Sequence, residues 1–438
     1  MLETLSKDGS YISSNKRTSP FRYAVGMLGT SIPINLLRTY AAIYCIDQIG
    51  ITSTQFSMIL FIYTIVDVLN IFWFGFLSDR TRTRWGRRKP WLIISTPLLV
   101  VSLICFFSGD AFENKLLLMC YLGGFYVLTT SLDLIINLNY GSLFPELFPE
   151  NQMRIKTNVL RQAFQIAAMA ISIALTPILT EHLGYFSVAV IYGILAWVII
   201  WFCTFGCYEN PERQKDPDFG LINSFLTIVK EKNLWFYGVS TAFYSISFSM
   251  FMQSMPFFIK YALHLGPSAT SLIFFGVLTV TVIGMLFWGR VSSAISALNV
   301  LRTATIIIFI GFLLMAFSSS LSSLALFSCL IGFGISGVMA SSDIVGANLI
   351  DRGYENHGKR LEGVYSSFFN LMYRVNGIFI GFAFFLVENL YHFSSGSSPG
   401  TVPDQASKFL FVFFPLAAII VSLVMTFLIS EGHKEQNR

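Results

Sequence analysis

The sequence predicts an all-α, polytopic membrane protein whose twelve helices cross the bilayer, and three observations carry this prediction. First, 54% of the 438 residues are hydrophobic and only 12% are charged, about half the charged fraction of a soluble domain. Second, apolar stretches of membrane-spanning length recur along the whole chain. Third, basic residues cluster in every second connection. So much apolar surface cannot be buried in one soluble core, so lipid must solvate much of it.

The predicted spans follow from hydropathy, since a helix needs about 20 apolar residues to cross a bilayer. They are 24–46, 56–78, 90–109, 116–142, 158–180, 185–206, 234–262, 269–289, 298–318, 321–345, 362–388 and 407–430.

The distribution of Lys and Arg predicts the topology. Basic residues crowd into the N-terminal tail and into the connections 79–89, 154–156, 213–232 and 352–360, whereas 47–55 and 181–184 contain none. Positively charged loops stay in the cytoplasm, so both chain ends are predicted to be cytoplasmic in a multi-pass protein of the cell membrane. That arrangement requires an even number of spans, in agreement with the count from hydropathy.

The longest polar interruption, 207–233, divides the chain into halves. We expect an N-terminal six-helix bundle over 1–206, a cytoplasmic linker over 207–233 and a C-terminal six-helix bundle over 234–438. Two bundles that rock about a site at mid-depth are typical of secondary transporters.

Three loop segments together resemble one transporter family. The sequence GFLSDRTRTRWGRRKPW at 75–91 resembles the loop between helices 2 and 3 of the major facilitator superfamily. More narrowly, it is similar to the glycoside–pentoside–hexuronide:cation symporters, the group of the melibiose permease. YGSLFPE at 140–146, followed by Arg154 and Arg161, resembles that group's helix 4–5 loop, and GKRLEG at 358–363 its helix 10–11 loop. The resemblance implies the two-bundle fold and alternating-access transport of a sugar-like solute.

Charged side chains inside the predicted spans are the candidate site residues, because an ionised group at mid-bilayer costs about 2.5–3.5 kcal/mol or more. They are Arg38, Asp67, Asp133 and Arg374. At ~1.5 Å per residue, Arg38 lies roughly 21 Å from the inner face and Asp67 roughly 17 Å from the outer face, close to one level. We therefore expect charges from both halves to meet in a central chamber. In the plainer alternative, Arg38 and Asp67 pair and only stiffen the first helix hairpin.

The family comparison assigns roles to these positions. The symporters carry two aspartates four residues apart on helix 2 that ligate sodium; here the first is Asp67 and the second position is Ile71. One carboxylate with Asn70 makes a poor sodium cage, so protons are the expected coupling ion. The family's helix 4 aspartate corresponds to Asn137 and its helix 11 lysine to Arg374. Two intramembrane arginines favour a solute with a carboxylate or phosphate group.

Apart from the coupling position, the predicted site residues fall into two sets. The substrate-binding set comprises Arg38, Asp133, Asn137, Tyr140, Arg161, Asn370 and Arg374. The second set is expected to form an interhelix latch on the inner side, or else to act only as a topological anchor. It comprises Asp79, Arg80, Arg84, Arg87, Arg154 and Arg360.

The sequence gives little support to other functions. Its six cysteines form no CxxC pair, its five histidines are isolated, and its one DxD, Asp216 to Asp218, lies in the linker. These features predict no cofactor, no metal and no enzyme activity. The basic residues lie in short loops, so no nucleic-acid partner is expected. We expect a monomer in the lipid bilayer that binds a small solute. The alternative within transport is a carrier of an anionic, lipid-like molecule on the same fold.

Overall fold

The computed structural model describes residues 18–430 except 82, 84, 110–113, 149, 209–227, 292–294, 319, 358–361, 395 and 397. Within these residues the chain forms twelve helical rods of membrane length. The rods of the first half are α1 (Pro20–Ile43, extended by a π-helical stretch, Tyr44–Ile49), α2 (Ser53–Arg80), α3 (Lys89–Phe106), α4 (Lys115–Leu147), α5 (Asn151–Met169, a π-helical stretch, Ala170–Ala174, and 176–183) and α6 (185–206).

The rods of the second half are α7 (Lys232–Tyr261), α8 (Pro267–Val291), α9 (Ala297–Met315), α10 (Leu321–His357), α11 (Glu362–Arg374 and Asn376–Tyr391) and α12 (Pro403–Lys408, a π-helical stretch, Phe409–Phe413, and Phe414–Leu428). The predicted all-α fold and the predicted order of spans are confirmed. Several predicted ends are wrong: α5 begins at Asn151 and α10 ends at His357, because both helices continue as polar turns beyond their apolar segments.

Nine described segments are long and apolar enough to cross a membrane by composition alone. The three rods that do not qualify are α1, α5 and α7. Each is as long as the others but carries more polar residues, such as Asn158, Arg161 and Gln165 of α5. All three also pack centrally: α1 contacts α5, α6 and α7. Helices that face an internal space rather than lipid do not need a uniformly apolar surface.

Helix contacts group the rods into two bundles. In the first, α1 packs on α5 and α6, and α3 and α2 pack on α4; in the second, α9 and α8 pack on α10, and α12 packs on α7. The main contacts between the bundles are α2 with α11, α1 with α7, and α5 with α8. The predicted boundary at 207–233 stays a prediction, since 209–227 lie outside the described residues.

One face of the molecule holds the start of α1 and the end of α12. We call it the termini side and the opposite face the far side; the charge pattern predicts that the termini side is cytoplasmic. On the far side, Asp47 at the end of α1 binds the second bundle. Lys260 Nζ lies 2.6 and 2.7 Å from the two Asp47 carboxylate oxygens, and Tyr261 donates its hydroxyl hydrogen to the same carboxylate.

The start of α2 adds further far-side contacts between the bundles. The backbone N–H of Ser53 donates to the carbonyl of Ser394 at 2.8 Å, and that of Thr54 donates to Glu388 Oε2 at 2.6 Å. The free N–H groups of the α2 N-terminus thus receive acceptors from α11 and the loop after it. The first bundle is fastened to the second along residues 46–54.

Burial along the two central helices agrees with closure at the far side. In α7 every residue from Met250 to Ile259 is buried. In α1 every residue from Gly29 to Ile46 is buried except Asn35 and Arg38. Towards the termini side, buried positions of both helices alternate with partly or fully exposed ones. The two central helices are therefore most completely buried on the far side.

Substitution of Asp47 is expected to loosen the far-side closure. Asp47→Asn removes the carboxylate charge that attracts Lys260, a pair whose lysine is half exposed and which therefore contributes about 1 kcal/mol or less. The population of molecules that are open at the far side should therefore increase by up to about fivefold. The measurement is the reaction rate of an impermeant maleimide, added from the far side, with a cysteine at Ser57→Cys in a background without other cysteines. The charge-swapped pair Asp47→Lys with Lys260→Asp should restore the slow rate, and an unchanged rate in Asp47→Asn would contradict the assignment.

Candidate solute and coupling site

One ion pair at mid-depth joins the two bundles. Arg374 Nη1 of α11 donates to Asp67 Oδ2 of α2, and the side chains are 19% and 2% exposed. The Tyr63 hydroxyl, one turn before Asp67 on α2, lies 3.5 Å from the same oxygen. A carboxylate this deeply buried requires a partner, because removing one member of a buried pair costs about 3–5 kcal/mol.

A second, looser ion pair lies within the first bundle. Arg38 Nη2 of α1 is 4.0 Å from Asp133 Oδ2 of α4, and the Arg38 side chain is 40% exposed. Asn137, one turn further along α4, donates from Nδ2 to Asp133 Oδ1 at 2.7 Å. The Arg38 guanidinium is therefore held near a carboxylate but keeps donors free for another group.

The predicted alternative in which Arg38 pairs with Asp67 is not what forms. Asp67 binds Arg374, because α11 packs against α2, and Arg38 lies near Asp133 instead. The structure brings charges of both halves together: Arg374 of the second bundle binds Asp67, and Asp133 lies within electrostatic range of Arg38, Arg374 and Asp67. With two arginines and two aspartates, this central cluster has no net charge.

Asn35 is a candidate site residue that the sequence reasoning missed. It lies three residues before Arg38 and so on the same face of α1. These two are the partly exposed residues of an otherwise buried stretch, and the Asn35 Nδ2 atom is buried without a hydrogen-bond partner among the described residues. An unpaired buried amide costs about 1–3 kcal/mol. The signal was available, since polar residues spaced three apart in an apolar helix mark a shared polar face.

Close packing at Gly377 sets the distance between α2 and α11 beside the central pair. A Cβ atom at this position would overlap Thr64 Oγ1 and come within 3.2 Å of the Tyr63 ring. One turn further along, a Cβ at Gly381 would lie 3.1 Å from the Ser57 carbonyl oxygen. The two glycines allow α11 to approach α2 closely enough for Arg374 to reach Asp67.

Two of the predicted substrate residues form a separate cluster towards the termini side. The Arg161 guanidinium of α5 lies over the rings of Tyr140 at 5.3 Å and Phe144 at 4.7 Å. Tyr140 is buried, stacks on Tyr23 at 4.6 Å and donates its hydroxyl hydrogen to the Tyr23 carbonyl. Arg161 also contacts Met27, which is eleven residues before Arg38, or about 16 Å along α1. The structure does not bring Arg161 and Tyr140 into the central cluster.

The other predicted binding residues have the following surroundings. Asn70 donates from Nδ2 to Ser131 Oγ of α4 at 2.7 Å, so its amide links α2 to α4. Asn370, one turn before Arg374 on α11, is exposed.

The predicted latch is described only in part. Arg87 forms an ion pair with Glu146 at 2.7 Å, which fastens the α2–α3 loop to the end of α4 within the first bundle. Arg154 donates from Nε to the Phe148 carbonyl at 3.2 Å and so caps α4. The side chains of Asp79 and Arg80, and residues 84 and 360, lie outside what the structure describes. The role of these residues as a latch stays a prediction.

Comparison with known proteins identifies the family. The family model described as MFS/sugar transport protein matches residues 22–430. The chain belongs to this family. The isoprimeverose transporter of Lactiplantibacillus pentosus is 23% identical over 366 residues, covering 80% of this chain and 75% of that protein. The inner membrane symporter YicJ of Escherichia coli (strain K12) is 20% identical over 357 residues, covering 78% and 76%.

A solved structure supports the fold independently. The crystal structure of the nucleoside transporter NupG superposes with a TM-score of 0.66, at 12% sequence identity, over 94% of this chain and 100% of that one. At this identity the likeness concerns the fold alone. Membership of the MFS/sugar transport family confirms the resemblance seen in the three loops, and it makes the chain a multi-pass membrane transporter and not an enzyme.

Substitution at Gly377 tests the close approach of α2 and α11. Gly377→Ala inserts a methyl group against Thr64 Oγ1, which costs about 1–3 kcal/mol if the helices must move apart. The apparent melting temperature of the purified protein should fall by several degrees. Adding Thr64→Ala removes the overlapping oxygen and should recover most of the loss. If the double variant melts no higher than Gly377→Ala alone, the packing argument fails.

Proposed function

We propose that this MFS/sugar transport protein is a proton symporter for an anionic sugar derivative, such as a hexuronide or acidic glycoside, and that it works by alternating access. One observation carries the proposal. The Asp67–Arg374 pair connects the two bundles at mid-depth, and the partly exposed Arg38 lies beside it in the same electrostatic cluster. A solute that reaches Arg38 therefore acts next to the bond that holds the bundles together.

Charge balance favours an anion accompanied by a proton. The central cluster is neutral, so an anionic solute alone would leave one uncompensated negative charge in a poorly solvated space. A proton taken up by Asp67 restores neutrality. Arg38 supplies a planar fork suited to a carboxylate, and Asn35 supplies an amide for a sugar hydroxyl.

The surroundings of Asp67 favour a proton over sodium. Sodium requires several oxygen ligands, and the Asp67 carboxylate is already bound by the Arg374 guanidinium. The position four residues later is Ile71, which offers no oxygen, and the Asn70 amide is bound to Ser131. A proton needs only the one carboxylate.

These features give a transport cycle. Protonation of Asp67 removes one charge of the interbundle pair and so releases Arg374 from α2. The α2–α11 contact then weakens, and the far-side contacts of residues 46–54 can separate. The solute at Arg38 compensates the cationic charge that the broken pair leaves behind. Proton and solute uptake thus favour the same rearrangement, which is the condition for coupling.

Asp67→Asn tests the coupling. In proteoliposomes with an imposed pH gradient, it should lower concentrative uptake of radiolabelled methyl glucuronide at least tenfold, because asparagine cannot exchange a proton. Solute exchange without a gradient should persist. Asp404→Asn, which removes an exposed carboxylate at the start of α12, is the matched control and should accumulate normally. If the single variant unfolds because Arg374 is left unpaired, Asp67→Asn with Arg374→Gln serves instead. Wild-type accumulation in the variant, or accumulation driven by sodium alone, contradicts the proposal.

Arg38→Gln tests the substrate class. The loss of a charged hydrogen bond of about 1.5–3 kcal/mol should raise KM for methyl glucuronide by roughly ten- to a hundredfold. KM for the neutral methyl glucoside, if the wild type transports it at all, should change little. Wild-type selectivity for neutral sugars would refute the anionic substrate, and selectivity for long-chain anionic amphiphiles would favour the lipid-carrier alternative.

A further inference from the structure

Three of the four residues 374–377 of α11 fasten this helix to both bundles. Arg374 binds Asp67 and Gly377 packs on Thr64, both on α2 of the first bundle. Between them, Asn376 donates from Nδ2 to Ser245 Oγ at 2.9 Å and lies 3.3 Å from Ser249 Oγ, both on α7 of the second bundle. The Asn376 amide has no part in the proposed transport cycle.

The positions of these residues around the helix explain the arrangement. Arg374 and Gly377 are three residues apart and lie on the same face. Asn376 follows Arg374 by two residues, or about 200° of rotation, and so points to nearly the opposite side. One rotational setting of α11 therefore satisfies both contacts, and a different setting satisfies neither.

The backbone at this point is irregular, so the setting needs an anchor. The α-helix is interrupted at Val375, where the N–H of Ile378 donates to the Val375 carbonyl in a tighter, i to i+3 turn at 3.2 Å. Asn376 follows this interruption directly, and its amide lies across one turn of α7. Ser245 is fully buried, so water does not compete for this hydrogen bond.

We propose that Asn376 is a positioning residue: its bond to Ser245 and Ser249 fixes the rotation of α11 within the second bundle so that Arg374 reaches Asp67. The effect of this residue on transport rests on the proposed coupling role of the Asp67–Arg374 pair. Its effect on the orientation of Arg374 does not, and can be measured without any solute.

The experiment follows chemical modification of Arg374 by phenylglyoxal in purified protein, quantified by mass spectrometry of the peptides. Asp67→Asn should raise the rate at Arg374, since the guanidinium loses its partner. Asn376→Ala should raise it by about threefold or more, in the range of one lost hydrogen bond. The rate at Arg302, which donates to carbonyls at the end of α12, is the internal reference and should not change.

Three further variants distinguish a local effect from a general loss of structure. Ser245→Ala with Ser249→Ala removes the acceptors and should reproduce the effect of Asn376→Ala; combining all three substitutions should add nothing further. Asn389→Ala is the matched control, because Asn389 lies on the same helix and, among the residues that the structure describes, donates to the Phe385 carbonyl of its own turn alone. Unchanged Arg374 reactivity in both the Asn376 and the serine variants, or an equal rise in Asn389→Ala, would overturn the proposal.

Proton-driven uptake of methyl glucuronide separates this inference from the proposed function. If Arg374 becomes reactive in Asn376→Ala and accumulation falls while gradient-free exchange persists, both stand. If Arg374 becomes reactive but accumulation is unchanged, the positioning role stands and the coupling role of the pair is wrong. If Arg374 stays protected while Asp67→Asn abolishes accumulation, the coupling role stands and the positioning role is wrong.

Discussion

An ionised side chain in the middle of a bilayer needs a partner, and in this protein the partner of Asp67 belongs to the other bundle. The Asp67–Arg374 pair makes the contact between α2 and α11 an electrostatic bond as well as a packing surface. Gly377 lets the two helices approach closely, and Asn376 binds α7 beside the arginine. A transporter needs two stable arrangements separated by a modest free energy, and under the proposed function the protonation of Asp67 would shift the balance between them.

Much of the fold could be predicted because lipid imposes a strong constraint on sequence. Hydropathy locates most spans, and the alternation of basic loops supports their number. Helix ends were harder: α10 runs twelve residues past its predicted end, because hydrogen bonding continues in water after the apolar stretch ends. Helices α1, α5 and α7 have a weaker hydropathy signal than the other nine described helices, because they carry more polar residues, and the even number of spans required by the basic loops supported their prediction.

The charged members of the central cluster were predictable, but their pairing was not. Charges in apolar segments identified Arg38, Asp67, Asp133 and Arg374, and counting residues placed them near one depth. Which arginine meets which aspartate depends on the lateral order of helices, and no single sequence reveals that order. The far-side contact of Asp47 with Lys260 was missed because each lies at a helix end, where a charge is unremarkable. Asn35 was missed although its spacing from Arg38 places both residues on one face of α1.

The separation of Asp67 and Arg374 along the chain has a consequence for biogenesis. They are 307 residues apart, so at ~5–20 residues per second a ribosome takes roughly 15 s to a minute to produce the arginine after the aspartate. For that interval α2 sits in the membrane without the arginine that its carboxylate binds in the folded protein. A product truncated before α11 lacks that partner altogether. The ion pair between the two bundles can therefore form only after synthesis has reached the eleventh helix.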